Sequence, residues 1–271
     1  MLGYDLYAIV SDGPQEKLNS TDITQPAMLA AGVATWRIWN KQGGQQPHVM
    51  AGHSLGEYTA LVCAGAMEFT DAIKLVASRG EYMQQAVPAG SGAMAAILGL
   101  DDDAVRAVCS EAAGNETVEA VNFNSPGQVV VAGNKSAVER ATELAKEKGA
   151  KRAVILPVSV PSHCQLMKTA ADKLASDLEQ IEIRRPAISV INNVDVKIET
   201  DPDAIRHALV RQLYQPVRWV EIIQSMAGNQ VTRILECGPG KVLMGLNKRI
   251  DKSLAHAALT DTDNMSQELA G

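Results

Sequence analysis

The sequence has no apolar run of about eighteen residues, the length at which a segment becomes a candidate for spanning a bilayer. Residues 1–10 also lack the basic start and apolar run of a secretory signal. The cysteines are few, lie far apart and form no CxxC pair: Cys63, Cys109, Cys164 and Cys237. This spacing fits neither a zinc ribbon nor a disulfide scaffold. These absences predict a cytoplasmic protein with no membrane association.

An excess of positive charge is also missing, because the formal net charge is −6 over 271 residues. Phosphate neutralisation needs a basic surface, so nucleic acid is disfavoured as a partner. A local basic patch near predicted loops and helix ends could still meet an acidic protein, or could consist of ordinary solvated side chains. Its members are Lys151, Arg152, Lys168, Lys241, Lys248 and Arg249. Hydrophobic residues at 46% and charged residues at 21% are typical of a globular chain.

The first part of the chain has the element order of an α/β fold. The predicted elements are a helix over 25–39, a strand over 47–51 and helices over 57–66 and 70–87. Pro26 is expected in the first turn of the first helix, where a proline is tolerated. After residue 161 the α/β pattern resumes, and the last predicted helix starts at 238–240. The polar tail after Thr260 is expected to fray.

The middle of the chain has a different order, and a break at 88–92 precedes it. The predicted elements are strand, helix, strand, strand, helix and strand, over 93–98, 102–113, 118–123, 128–132, 136–148 and 152–157. This βαββαβ order is typical of a ferredoxin-like unit, with a hairpin turn at 124–127. We therefore predict an α/β fold with a core of residues 1–89 and 158–271 and an inserted subdomain of residues 90–157.

A Gly-x-Ser-x-Gly motif, 52–56, lies between a predicted strand and a predicted helix. In this setting a sharp turn lifts the serine hydroxyl clear of the sheet, and the glycines remove side chains that would clash. The following helix directs free N–H groups to the place where an oxyanion would form. The motif alone also fits a glycine-rich connector, but the strand–turn–helix context favours Ser54 as a nucleophile.

A serine nucleophile needs a base, and five histidines are available. His163 follows the apolar run 154–161 at an expected strand end, where α/β folds place catalytic loops. His53 adjoins Ser54 in an extended segment, so we expect it to point elsewhere and to pack against or support the turn. His48, His207 and His256 have the context of surface or helix-face residues. Because a lone histidine is usually structural, context alone leaves the role of His163 open.

Arg79 lies in an otherwise small and apolar stretch of the second predicted helix after the motif. A bidentate arginine is suited to hold a substrate carboxylate in a site that excludes water. The alternative is an ion pair with an acidic residue such as Glu81 or Asp71. The sequence does not decide between the two.

Several ordered motifs together resemble the malonyl-CoA:acyl-carrier-protein transacylases of bacterial fatty-acid synthesis, which are related to polyketide synthase acyltransferase domains. The motifs cover nearly all of the chain and are Thr24-Gln25-Pro26-Ala27, Ala51-Gly52-His53-Ser54-Leu55-Gly56-Glu57-Tyr58, Arg79-Gly80, Gly92-Ala93-Met94-Ala95-Ala96, Val121-Asn122-Phe123-Asn124-Ser125-Pro126-Gly127-Gln128, Val158-Ser159-Val160-Pro161-Ser162-His163, Asn192-Asn193-Val194-Asp195 and Glu236-Cys237-Gly238-Pro239-Gly240.

The resemblance implies an α/β-hydrolase-like core with an inserted ferredoxin-like subdomain. It also implies roles for five residues: Ser54 as nucleophile, His163 as base and then acid, the Gln212 carbonyl as its orienting acceptor, Arg79 as the carboxylate clamp and the Leu55 N–H as an oxyanion donor. The implied substrates are malonyl-CoA and the phosphopantetheine thiol of acyl carrier protein. No metal and no further cofactor is implied.

One departure from the family concerns the start of the chain. The family opens with a strand and a Gly-Gln-Gly-Ser-Gln loop that contributes to the oxyanion hole, and these are expected to be absent here. Losing one oxyanion donor typically lowers turnover ~100- to 1,000-fold. This departure suggests one alternative function, a catalytically impaired subunit that binds the carrier protein. A serine thioesterase or esterase is a second alternative, because it shares the serine motif and the histidine.

Overall fold

The structure is a computed structural model that describes residues 2–158 and 160–270. Ser159, which belongs to one of the motifs above, lies outside the described residues, as do Met1 and Gly271. The helices are α1 (Leu6–Asp12), α2 (Gln15–Leu18), α3 (Thr21–Lys41), α4 (Leu55–Cys63), α5 (Phe69–Gln85), α6 (Asp102–Ala113), α7 (Lys135–Glu147), α8 (Lys168–Glu179), α9 (Pro202–Gln212), α10 (Trp219–Gly228), α11 (Val242–Ile250) and α12 (Thr262–Ala270). The strands are β1 (Val49–Ala51), β2 (Gly92–Leu98), β3 (Val118–Ser125), β4 (Gln128–Asn134), β5 (Arg152–Ile155), β6 (Ser189–Ile191), β7 (Arg233–Glu236) and β8 (Ala255–Ala258).

The middle of the chain forms a four-stranded antiparallel sheet in the order β3-β4-β2-β5. This is the strand order of a ferredoxin-like unit, and α6 and α7 pack their apolar residues against the sheet. The cluster that results includes Ile97, Val108 and Ala141 and is drawn only from residues between 93 and 153. Because this part buries a hydrophobic core of its own, we propose residues 90–157 as an inserted subdomain and 1–89 with 158–271 as the core.

The strands of the core are short and parallel. β1 pairs with β6, so that Ala51 lies opposite Ile191, and β7 pairs with β8. Within the described residues no ladder joins these two pairs. α3, α4, α5, α8 and α9 bury a large apolar cluster beside β1 and β6. Since the carboxyl ends of parallel strands meet at one edge, the segments after β1 and β6 lie close together there.

The N-terminal part of the core differs from the sequence prediction. α3 begins at Thr21, so Pro26 lies inside the helix and not in its first turn. The earlier start buries Ile23, which a helix beginning at residue 25 would leave outside. The preceding helices α1 and α2 were not predicted.

The C-terminal part also differs. The chain after Thr260 forms α12, which was not predicted, and Met265 of this helix packs in a small buried cluster with Trp39 and Leu259. The strand β8 that precedes it was not predicted either. In the segment before His163, only Arg152–Ile155 is strand, and the rest of the predicted strand is irregular.

Candidate active site

The turn between β1 and α4 places Ser54 in a conformation that L-residues rarely adopt, with φ 51° and ψ −110°. Gly52 makes this turn possible, because a Cβ there would lie 1.9 Å from the backbone carbonyl of Gly56. Gly56 itself has open space for a Cβ. The expectation that both glycines avoid a clash is therefore wrong for Gly56. The steric requirement falls on the first glycine.

His163 lies beside the serine hydroxyl, although the two residues are 109 positions apart. Ser54 Oγ is 2.8 Å from His163 Nε2, and His163 Nδ1 is 2.6 Å from the carbonyl oxygen of Gln212. A carbonyl can only accept, so Nδ1 carries the proton and Nε2 has the free lone pair. Burial, reinforced by the charge of Arg79, lowers the pKa of His163 to about 3. The imidazole is thus neutral and able to accept the proton of Ser54.

Arg79 is 1% exposed and reaches the same hydroxyl. Its Nη2 donates to Ser54 Oγ at 3.2 Å and to Gln212 Oε1 at 3.1 Å, and its Nη1 donates to Gln25 Oε1 at 2.6 Å. The guanidinium carbon also lies 5.3 Å from the centre of the Tyr58 ring. Every one of these partners is neutral.

No acidic side chain forms a salt bridge with Arg79 in the part of the chain that the structure describes. The ion pair with Glu81 or Asp71 is therefore wrong, and Glu81 instead accepts a hydrogen bond from Gln85. A buried cation without an anionic partner is costly, since buried charges are normally paired. The arrangement is suited to bind an anionic group next to Ser54.

The position of Gln25 relative to Arg79 depends on Gly80, the next residue of α5. A Cβ on Gly80 would lie 2.6 Å from Cα of Asp22, in the first turn of α3. The absence of a side chain at Gly80 therefore lets α5 approach the start of α3. This approach brings Gln25, one turn further along α3, to Arg79.

Leu55 is the first residue of α4, so its N–H has no acceptor within the helix. This N–H immediately follows Ser54 and lies at the positive end of the helix dipole. It can donate to an oxyanion that forms at a carbonyl attacked by Ser54.

Sequence reasoning missed three side chains that surround the turn: Glu57, Asn193 and the amide of Gln212. Asn193 Oδ1 accepts from the Ser54 N–H at 2.7 Å, and Glu57 Oε2 accepts from Gln212 Nε2 at 2.8 Å. Glu57 stands three residues after Ser54, the spacing of a capping box, in which it would bond back to the Ser54 N–H. This spacing was the available signal, but Asn193 makes that bond instead.

The other histidines lie away from the reacting atoms. His53 Nε2 is 2.8 Å from Oδ1 of Asn124 on β3, and its ring centre is 5.6 Å from that of Trp219. Burial lowers the pKa of His53, and the hydrogen bond to Asn124 partly opposes this. His48 and His207 are exposed, and His256 is half-buried on β8.

Across residues 2–158 and 160–270, no group of three or more His, Cys, Asp or Glu side chains is arranged to hold a metal ion. No helix in this part of the chain has both the length and the apolar character needed to cross a bilayer.

The chain matches the acyl transferase domain family over residues 1–261. It is 59% identical over 268 residues to the malonyl CoA-acyl carrier protein transacylase of Escherichia coli K12, an alignment that covers 99% of this chain and 87% of that protein.

Two solved structures are also similar. An acyl carrier protein S-malonyltransferase from Vibrio cholerae has a TM-score of 0.96 at 61% identity, covering 98% of this chain and 87% of that one. A malonyl-transacylase solved in complex with its type II PKS acyl-carrier protein has a TM-score of 0.98 at 58% identity, covering 99% and 87%.

Proposed function

The chain belongs to the acyl transferase domain family, and we propose that it transfers a malonyl group from malonyl-CoA to the phosphopantetheine thiol of acyl carrier protein. The observation that carries this proposal is the buried guanidinium of Arg79, 3.2 Å from Ser54 Oγ and bound only to neutral groups. A malonyl thioester has a carboxylate at one end and a reactive carbonyl at the other. Arg79 can hold the carboxylate while Ser54 attacks the carbonyl.

In the first half-reaction, His163 Nε2 removes the proton of Ser54 as Oγ attacks the thioester carbonyl. The oxyanion that forms accepts a hydrogen bond from the Leu55 N–H. The carbon–sulfur bond then breaks, and the coenzyme A thiolate takes the proton from His163. The product is a malonyl ester of Ser54.

In the second half-reaction, the carrier thiol loses its proton to His163 and attacks the ester carbonyl. Ser54 Oγ leaves and recovers the proton, and the malonyl group is again a thioester. Since each half-reaction exchanges a thioester and an ester, no net oxidation occurs and no cofactor is invoked.

The proposal also includes a surface for the carrier protein and a cellular compartment. The exposed cations Lys151, Arg152, Lys168, Lys241, Lys248 and Arg249 provide positive charge for an acidic carrier protein. The compartment that we propose is the cytoplasm, which the free cysteines of the described residues favour.

The test is intact-mass spectrometry of the purified chain after mixing with malonyl-CoA, with Ser54→Ala as the control. We expect a malonyl adduct on the wild-type chain, none on the variant, and loss of the adduct when holo acyl carrier protein is added. Release of free malonate faster than malonyl-carrier would instead indicate a thioesterase. Binding of the carrier by a folded chain that forms no adduct would indicate a non-catalytic binding subunit.

A further inference from the structure

Glu57, Asn193 and Gln212 are buried polar side chains, 3%, 0% and 0% exposed, and the mechanism above uses no atom of their side chains. Burying polar groups is unfavourable unless they are hydrogen-bonded. These three bond to one another and to the turn that carries Ser54, and they come from three separate elements. Glu57 lies on α4, Asn193 follows β6, and Gln212 ends α9.

Asn193 spans the turn with a single side chain. Its Oδ1 accepts from the Ser54 N–H at 2.7 Å, and its Nδ2 donates to the Gly52 carbonyl at 2.7 Å. Both backbone groups belong to the segment in which Ser54 has a positive φ of 51°. Such a conformation is rarely adopted by residues other than glycine and persists only where the surroundings enforce it. The two hydrogen bonds of Asn193 supply that enforcement.

Glu57 connects Asn193 to the base. Its Oε2 accepts from the Asn193 N–H at 3.0 Å and from Gln212 Nε2 at 2.8 Å. Gln212 is also the residue whose carbonyl accepts from His163 Nδ1, and its Nε2 lies 3.0 Å from the Ser54 carbonyl oxygen. One carboxylate oxygen therefore holds the element that shapes the serine turn and the element that orients the histidine.

We propose that Asn193 and Glu57 are positioning residues: Asn193 holds the Ser54 turn in its reactive shape, and Glu57 fixes Asn193 and Gln212 so that Ser54 and His163 stay within hydrogen-bond distance. Neither residue is assigned a contact with substrate. The inference rests on the serine–histidine chemistry of the proposed function, but not on the identity of the acyl group.

The test measures the reactivity of Ser54 with a neutral fluorophosphonate, whose phosphorus Ser54 Oγ attacks with loss of fluoride. It needs no malonyl group and no carrier protein. Labelling of Ser54 is followed by intact mass at several reagent concentrations, which separates the maximal rate from the half-saturating concentration. Misplacing a reacting group by about 1 Å can lower a rate ~100-fold. For Asn193→Ala we expect a maximal rate about 100-fold lower and an unchanged half-saturating concentration.

Asn192→Ala is the matched control. Asn192 is the neighbouring residue and is also buried, but its Oδ1 accepts from the Asp195 N–H and not from the Ser54 turn. We expect this variant to lose stability and to be labelled at the wild-type rate per folded molecule. A purely structural role for Asn193 would give both variants the same result, and that outcome would overturn the proposal.

Asn193→Asp provides a second measurement if Asn193→Ala does not fold. It keeps the acceptor for the Ser54 N–H but places a carboxylate oxygen against the Gly52 carbonyl, so we again expect slower labelling. At Glu57, we expect Glu57→Ala to be slow and Glu57→Gln to recover most of the rate, because a glutamine oxygen can still accept from Asn193 and Gln212. Wild-type labelling rates in Asn193→Asp and Glu57→Ala would each contradict the inference.

The outcomes for the two proposals can be told apart. If the wild-type chain is labelled at Ser54 but transfers no malonyl group, the proposed function fails. The positioning roles are then decided by the labelling rates of the Asn193 and Glu57 variants. If a folded wild-type chain is not labelled at Ser54, the serine chemistry fails, and the positioning roles fail with it.

Discussion

The guanidinium of Arg79 and the hydroxyl of Ser54 lie 3.2 Å apart, and no described acidic side chain forms a salt bridge with the arginine. Its other hydrogen-bond acceptors are the amide oxygens of Gln25 and Gln212. An amide oxygen balances a full positive charge less well than a carboxylate does, since a carboxylate adds the attraction between two opposite charges to the hydrogen bond. We therefore expect the site to favour acyl groups that carry a negative charge.

Arg79→Ala should impair acylation of Ser54 by malonyl-CoA much more than by acetyl-CoA. Hydrogen bonds to a charged group contribute about 1.5–3 kcal/mol, so we expect malonyl kcat/KM to fall up to about 100-fold further than acetyl kcat/KM. Rapid-quench intact mass with each donor measures the two rates.

Arg37→Ala is the control for this comparison. Arg37 is an exposed residue of α3, its guanidinium carbon lies 5.2 Å from the Phe69 ring centre, and we assign it no role in the site. Its removal should leave the ratio of malonyl to acetyl rates unchanged. Equal losses with both donors in Arg79→Ala would eliminate the clamp role.

The acid limb of the reaction should lie well below pH 6.5. Burial and the Arg79 charge lower the pKa of His163 from its ordinary 6.5 to about 3, so the imidazole stays neutral as the pH falls. p-Nitrophenyl acetate is a suitable acyl donor because it has no group that ionises over this pH range. The initial burst of p-nitrophenol release gives the rate of Ser54 acylation at each pH. Circular dichroism at the same pH values restricts the comparison to folded protein. An apparent pKa near 6.5 would show that His163 is not the buried base.

The stabilisation that Glu57 contributes should fall as the pH rises past 4.5. Burial raises the pKa of this carboxyl to about 7 from 4.5, although Gln212, Asn193 and Arg79 oppose the shift and Asp195 adds to it. The folded chain then binds a proton that the unfolded chain has released, so the stabilisation is present below pH 4.5 and is lost as the pH passes 7.

The titration of Glu57 should lower the free energy of unfolding by about 3 kcal/mol as the pH rises from 4.5 past 7. The difference in unfolding free energy between the wild-type chain and Glu57→Gln, measured by urea titration at pH values from 4.5 to 8, isolates this contribution, because His163 titrates in both. The unfolding free energy of Glu57→Gln should therefore rise relative to that of the wild-type chain by about 3 kcal/mol between pH 4.5 and 8. A constant difference would place the carboxyl pKa near its ordinary value.

The two glycines of the Ser54 turn should respond differently to alanine. A Cβ at position 52 would meet the backbone of Gly56 at 1.9 Å, whereas a Cβ at position 56 meets nothing within 4 Å. We expect Gly52→Ala to lose about 1–3 kcal/mol of stability or more and to abolish acylation. Gly56→Ala should fold with an unchanged or slightly higher Tm, because alanine is about 0.5–1 kcal/mol better than glycine in a helix. Calorimetry measures the Tm of both variants. A low Tm in both would contradict the expected difference between positions 52 and 56.

Local patterns predicted those parts of the fold that are determined locally. The helix over 102–113 agrees with α6 to the residue, because its apolar spacing and the Asp101 cap lie within one short segment. The start of α3 was misplaced, since Pro26 resembled a helix start but lies inside a helix. α12 could not be predicted from its polar sequence, because it is ordered by packing of Met265 against Trp39, far away in the chain.

The residues of the candidate site were likewise predictable only where their signal is local. Ser54 is indicated by a five-residue motif, but its contact with His163 spans 109 positions and its backbone contact with Asn193 spans 139. Periodicity carries no information about such distances. Glu57 is a further example, because its capping-box spacing predicts a local bond that a distant side chain replaces.

If Arg79 holds the acyl carboxylate as proposed, Gly80 links substrate choice to the distance between α3 and α5. Because a side chain there would strike the backbone of Asp22 at 2.6 Å, any larger residue must push α5 away from α3. The hydrogen bond between Arg79 and Gln25 would then be lost, and the guanidinium would take a different position relative to Ser54. Acyl preference in a lineage carrying such a change could drift while every residue that touches the acyl group stayed the same. A comparison of natural variants by their active-site residues alone would overlook the cause.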